Sequence, residues 1–126
     1  MNILMIDTSG PACGVAIMAD GRLVYEAELT HRQTHSQRVM PMVDTALQMS
    51  DMTAADMDVF GAVVGPGSFT GVRIGVSTVK ALAHAANKPC VAVDALEALA
   101  ANVTAFDGVV CPILDGRALQ VYGAIF

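Results

Sequence analysis

Two stretches concentrate residues able to do chemistry. The first, Gly65-Pro66-Gly67-Ser68-Phe69-Thr70-Gly71-Val72-Arg73-Ile74-Gly75, leaves the hydrophobic run Val59–Val64 and enters a helical pattern that reaches about Ala86. A strand, a glycine-rich turn and a helix N-terminus can cradle phosphate, because the first backbone N–H groups of a helix have no partner inside it. The spacing is neither the G-x-x-x-x-G-K-[ST] of a P-loop nor the G-x-G-x-x-G dinucleotide fingerprint. The plainer reading is a tight turn followed by a small-residue packing face. Gly65 and Gly67 permit backbone angles that other residues resist, Pro66 stiffens the turn, and Ser68 or Thr70 caps the helix. Gly71 and Gly75 then lie one turn apart, with Thr78 and Leu82 further along the same face. A glycine inside a helix costs about 1 kcal/mol relative to alanine, so the pair implies close backbone approach. The second stretch is Asp7-Thr8-Ser9, at the end of the strand pattern Asn2–Asp7. Its carboxylate and hydroxyls either hold a metal–phosphate group or cap their own turn.

Other candidates are weaker. His31 and His35 are spaced i, i+4 without the acidic residue of a zinc-protease helix or a third ligand nearby. Ser68 stands in G-P-G-S-F, which is not the G-x-S-x-G of a nucleophile elbow. Asp94 with Glu97, and Asp115 with Arg117, read as helix-capping or locally paired charges rather than catalytic dyads. The stripe Arg73, Ser77, Lys80 and His84 reads as a solvated helix face.

The elements that position these residues follow from turn chemistry and periodicity. Asn2–Asp7, Cys13–Met18 and Leu23–Leu29 read as strands, the last two joined by the hairpin dipeptide Asp20-Gly21. A helix runs from a cap near Ser36 to about Met49, with Val39, Met42, Val43, Ala46 and Met49 on one side and Pro41 within it. Met40 and Leu47 widen that apolar arc beyond one sheet contact, so part of it is either a second core layer or an interface. Thr53–Asp56 reads as a capped helical turn. After the central helix come a short buried strand Cys90–Val93, a helix Ala95–Asn102 capped by Asp94, and strands Val109–Leu114 and Leu119–Phe126 around an Asp115-Gly116-Arg117 turn. The order implies an α/β fold: a mixed five-stranded sheet, three antiparallel strands plus parallel ones reached by helical crossovers, with flanking helices.

Composition bounds the function. The 126 residues suit one domain. Seven basic against twelve acidic residues, a net charge of −5, argue against independent nucleic-acid binding, which requires a positive surface. Hydrophobic residues make up 54%, yet no run reaches the ~18 apolar residues of a membrane span. Cys13, Cys90 and Cys111 form no C-x-x-C pair and read as buried thiols of a reducing cytoplasm.

Taken together, Ile3–Ser9, His35-Ser36-Gln37, Gly65–Gly75 and Leu114-Asp115-Gly116-Arg117 resemble, in the same order, the TsaB family, also called YeaZ. The resemblance covers all 126 residues and implies an N-terminal lobe of the actin-like ATPase (ribonuclease H-like) fold, residues 1–126, whose last strands lead toward a C-terminal lobe absent from this sequence. It further implies a cytoplasmic, non-catalytic subunit for making threonylcarbamoyladenosine beside the anticodon of tRNAs that read codons beginning with A. The implied partners are TsaD, the catalytic paralogue, and the ATPase TsaE, with a homodimer when TsaD is absent and tRNA met only through the complex. No membrane partner and no intrinsic cofactor or metal are implied; ATP or ADP is expected only at an assembled interface. TsaD carries a V-N-H-L-E-G-H metal motif where this chain has Val93-Asp94-Ala95-Leu96-Glu97-Ala98-Leu99, with Ala95 and Leu99 at the histidine positions. Aliphatic side chains cannot ligate a metal.

Carried over from the family, the helices near Ser36–Met49 and Thr70–Ala86 form the partner contact. Val39, Met42, Val43, Ala46, Gly71, Gly75, Thr78, Val79 and Leu82 are the expected contributors. On that expectation a bulky residue at Gly75 blocks the heterodimer and leaves the monomer folded. Asp7, Thr8 and Ser9 are the candidate nucleotide-binding residues. The competing hypothesis is a small ATPase or kinase of the same fold with Asp7 and Ser9 on phosphate. A glycoprotease ranks last, because neither a zinc site nor an activated nucleophile is present in the pattern.

Overall fold

The structure, a computed structural model, describes residues 1–30, 34–103 and 105–126. Strands β1 (Asn2–Asp7), β2 (Cys13–Ala19) and β3 (Arg22–Leu29) form an antiparallel meander. Asp20 and Gly21 both take positive φ, 50° and 77°, which is the two-residue turn whose twist matches the strands on either side. Helix α1 (His35–Met49) and a short 3₁₀ turn (Ala54–Asp56) cross to β4 (Val59–Val63), which pairs with β1 in parallel. Helix α2 (Phe69–Ala86) crosses again to β5 (Cys90–Val93), parallel to β4. The sheet order is β3-β2-β1-β4-β5, the mixed five-stranded arrangement expected from the sequence.

One face of this sheet carries the core. Leu4, Ile6, Val15, Ile17 and Phe60 point from the strands to Val39, Val43 and Ala46 of α1 and to Val79 and Ala83 of α2. The helical period of three and four residues places the α1 triplet on one stripe and the α2 pair on another. On the opposite face Met5 lies beside Gly61, whose missing side chain leaves room for the Met5 sulfur. Helix α3 (Ala95–Ala100) opens at Asp94, whose carboxylate accepts the N–H groups of Leu96 (2.8 Å) and Glu97 (3.1 Å).

Several expectations need correction. Cys90–Val93 is not buried: it is an edge strand with three of its four residues exposed, because nothing covers its outer side among the described residues. At the C-terminal end, Asp115-Gly116-Arg117 is not a turn but belongs to β6 (Ile113–Arg117), and the turn sits one step on at Ala118-Leu119 before β7 (Gln120–Gly123). Asp115 accepts the Arg117 N–H at 2.8 Å and sets a bulge, which delays the reversal. Upstream, Val110 and Phe126 exchange both backbone bonds at 2.9 Å. The ladder therefore continues past Pro112, which has no N–H to give.

The cysteines also divide. Cys13 is buried, while Cys90 and Cys111 are exposed. Burial pushes the Cys13 thiol up, and the nearby Asp7 carboxylate adds to this. A thiol-reactive chromophore is expected to titrate Cys90 and Cys111 rapidly in the native chain and Cys13 only after denaturant is added. Three fast thiols would mean that the β2 end of the core opens readily.

Candidate functional site

Two neighbouring surfaces collect the residues singled out above: the β1–β2 turn with the glycine-rich loop, and the outer side of the α1–α2 pair. The turn begins at Asp7, whose Oδ1 accepts the Ser9 N–H (2.8 Å) and the Ser9 hydroxyl (2.7 Å). Thr8 is fully buried, and its Oγ1 donates to the Gly71 carbonyl at 2.7 Å. The Ser68 N–H reaches back to the Ser9 carbonyl at 2.7 Å. Ser68, not Thr70, caps α2, accepting the Gly71 N–H at 3.2 Å.

The glycines explain why the loop can lie so close. A Cβ at Gly67 would collide with the Ser9 carbonyl oxygen, and one at Gly71 with the Thr8 carbonyl oxygen. At Gly75 it would stand 2.5 Å from Thr8 Oγ1. Gly65, at φ 106°, precedes a cis bond to Pro66, and its carbonyl accepts the Ala95 N–H at 2.8 Å. The glycine-rich stretch thus locks α2 onto the β1–β2 turn and ties α3 to the same node. Close backbone approach was rightly expected at Gly71 and Gly75, but its partner is the chain's own Thr8.

This geometry divides the candidate residues. Thr8 and Ser9 are buried and hydrogen-bonded within the chain, while Asp7 is exposed. Asp7 lines a cleft of about 520 Å³ on the free face of the sheet, together with Ser9, Gly14, Glu26, Glu28 and Leu99. Val39, Val43 and Ala46 on α1, and Gly71, Gly75 and Val79 on α2, are buried in the chain's own core. They face the sheet and its turn, so in this fold they present no surface to a partner. The expectation that a bulky residue at Gly75 spares the monomer fails for the same reason. Met42, Thr78 and Leu82 keep part of their surface free.

The outward side of the pair is different in kind. Thr70, Arg73, Ser77, Lys80, Ala81 and His84 are exposed along α2, so the polar stripe faces solvent as expected. Arg73 lies over the ring of Phe69, 5.2 Å from its centroid. Ile74 and Thr78 are half-buried beside the exposed Ser77 and Ala81, a row with three small side chains. On α1 the exposed surface includes Met40, Pro41, Thr45 and Met49. Glycines announce close approach without saying to what, so the pattern pointed to the inner face of α2 rather than to this row.

Chemistry at these sites is sparse. Among the described residues, no three of His, Cys, Asp and Glu stand together as a metal site. His31 lies outside the described residues, and the ring of His35 is engaged with the Gly10 carbonyl at 3.0 Å. Ala95 is buried and Leu99 lines the cleft, so the two positions that the resemblance matched to histidines carry only hydrocarbon. No helix among the described residues is long and apolar enough to cross a membrane.

Comparison with known proteins gives these surfaces a context. The family model described as "TsaD: tRNA N6-adenosine threonylcarbamoyltransferase" matches residues 28–125. The tRNA threonylcarbamoyladenosine biosynthesis protein TsaB of Bacillus subtilis is 42% identical over all of this chain and 55% of its own length. The structure of YeaZ from Pseudomonas aeruginosa superposes with a TM-score of 0.90 at 34% identity, over 99% of this chain and 59% of that one. RuvC of Thermus thermophilus, at 13% identity and a TM-score of 0.53, covers 76% of this chain and 65% of its own, and shares the fold alone. These likenesses agree with the actin-like, ribonuclease H-like architecture. The chain spans about half the length of the curated relatives it matches.

Proposed function

Because the chain belongs to the TsaB (YeaZ) family, we propose that it serves tRNA threonylcarbamoyladenosine biosynthesis as a non-catalytic scaffold that activates the transferase TsaD. The observation that carries the reading is the 42% identity to TsaB along the whole chain. In this reading it works in the cytoplasm as the N-terminal lobe of the scaffold. TsaE joins the TsaD–scaffold pair, and tRNA is met through the complex, in keeping with a net charge of −5. Two copies pair when TsaD is absent.

The contact is assigned to the outer side of α1 and α2, with Met42, Thr78 and Leu82 retained from the expected set and Ile74, Ser77 and Ala81 added. Small side chains let a second helix pair approach to about 8–10 Å between axes. ATP or ADP, if used, sits at the assembled interface rather than in this chain alone.

An ATPase or kinase using Asp7 and Ser9 on phosphate has less support, since the Ser9 hydroxyl is already held by Asp7 Oδ1 at 2.7 Å. The discriminating experiment adds the chain to purified TsaD, TsaE, tRNA and the threonylcarbamoyl-adenylate donor. Modified nucleoside is expected only when chain and TsaD are both present. Turnover of Mg-ATP by the chain alone would favour the enzyme instead.

A further inference from the structure

Among the described residues, the N-terminus of α1 lacks the usual means of holding itself in place. Thr34 stands at the cap position but makes no side-chain cap bond, and the first turn carries no acidic residue. Pro41, inside the helix, has no N–H to offer the carbonyl four residues back, which is that of Gln37. The first turn is thus weakly tied to the rest of α1 as well as uncapped. A tertiary tie of this turn among the described residues is His35, whose Nε2 lies 3.0 Å from the Gly10 carbonyl oxygen. A carbonyl only accepts, so Nε2 carries the proton. Gly10 follows Ser9 in the turn that the Ser68 N–H grips from α2.

We infer that His35 is a positioning residue: by donating to Gly10 it fixes the first turn of α1 to the β1–β2 turn and so presets the α1–α2 surface for its partner. The inference rests on the helix-pair contact proposed above. It gives the His35-Ser36-Gln37 motif a role that requires neither a metal nor catalysis. The chain of restraint is continuous, from α2 through Ser68 and Ser9 to Gly10, and from Gly10 through the imidazole to α1. A surface ordered before docking does not have to be ordered during it, and that saving appears as affinity.

The test compares the chain with His35→Ala and His35→Gln, the second retaining an N–H donor on a side chain of similar reach. Affinity for TsaD is expected to fall about five-fold in His35→Ala, the ~1 kcal/mol of one hydrogen bond at 1.4 kcal/mol per decade, and largely to return in His35→Gln. In the free chain, amide exchange at Val39 and Met40, whose N–H groups close the first helical turn, is expected to quicken in His35→Ala and recover in His35→Gln. Unchanged exchange in His35→Ala, or equal quickening in both variants, would overturn the positioning role. A wild-type chain that ignores TsaD would instead sink the proposed partner contact, and exchange would still judge His35.

Discussion

Replacing Gly71 by alanine is expected to destabilise the chain by about 3 kcal/mol, close to the upper end for overpacking. The reason is local and severe. The added methyl group would collide with the Thr8 carbonyl oxygen, backbone at the end of β1 rather than a side chain that can swing aside. Relief requires α2 to lift from the turn, and lifting it breaks the 2.7 Å bond from Thr8 Oγ1 to the Gly71 carbonyl. Thr8 is fully buried, so its hydroxyl would then be left without a partner, which adds a further penalty of about 1–3 kcal/mol. Alanine's better helix propensity offsets only about 1 kcal/mol. Thermal unfolding followed by circular dichroism is expected to show a melting temperature lower by roughly 10 °C. Gly75→Ala should also destabilise the chain but by less, since the new atom would meet the Thr8 hydroxyl at 2.5 Å, a side-chain group that can turn away at the cost of its bond to the Gly71 carbonyl. A Gly71→Ala chain as stable as the parent would mean that α2 is not seated on the turn.

The same residues show how far the sequence could be read. Turn dipeptides and alternating hydrophobicity were enough for the meander, and the lengths of the crossovers implied the parallel strands. The sheet order followed from these together. Site residues were harder, because periodicity shows which side of a helix is apolar and not which neighbour covers it. Val39, Val43, Ala46 and Val79 form apolar stripes that suit a partner as well as a sheet, and the sheet has them. Gly71 and Gly75 signalled close contact, but Thr8 lies more than sixty positions away and no local pattern joins them. The β6–β7 turn was misplaced by one step because Asp115-Gly116 resembles a hairpin dipeptide while the Asp115 carboxylate stabilises a bulge instead. His35 stood out through its spacing from His31 and the His35-Ser36-Gln37 motif, but neither pointed to its partner, which is a backbone carbonyl.

The second large effect lies on the opposite side of α2. Ala81→Glu is expected to leave stability within about 0.5 kcal/mol of the parent, because Ala81 is exposed and glutamate is a good helix former. The same change is expected to weaken binding to TsaD at least about 100-fold, since the proposed contact would bury a carboxylate with no partner and hold the helices apart. Arg22→Ala, at the far edge of the sheet on β3, should alter neither quantity. The pair Gly71→Ala and Ala81→Glu therefore separates the two sides of one helix, the first acting on folding and the second on association. Loss of stability in Ala81→Glu would show that this side is covered by the chain itself.

The most direct measurement is light scattering on a sizing column, with the chain alone, with TsaD, and with TsaD after Ala81→Glu. A one-to-one complex is expected for the parent chain and two separate species for the variant. A complex that forms equally well with Ala81→Glu would place the contact elsewhere on the chain. A parent chain that stays apart from TsaD in every run would contradict the proposed scaffold function.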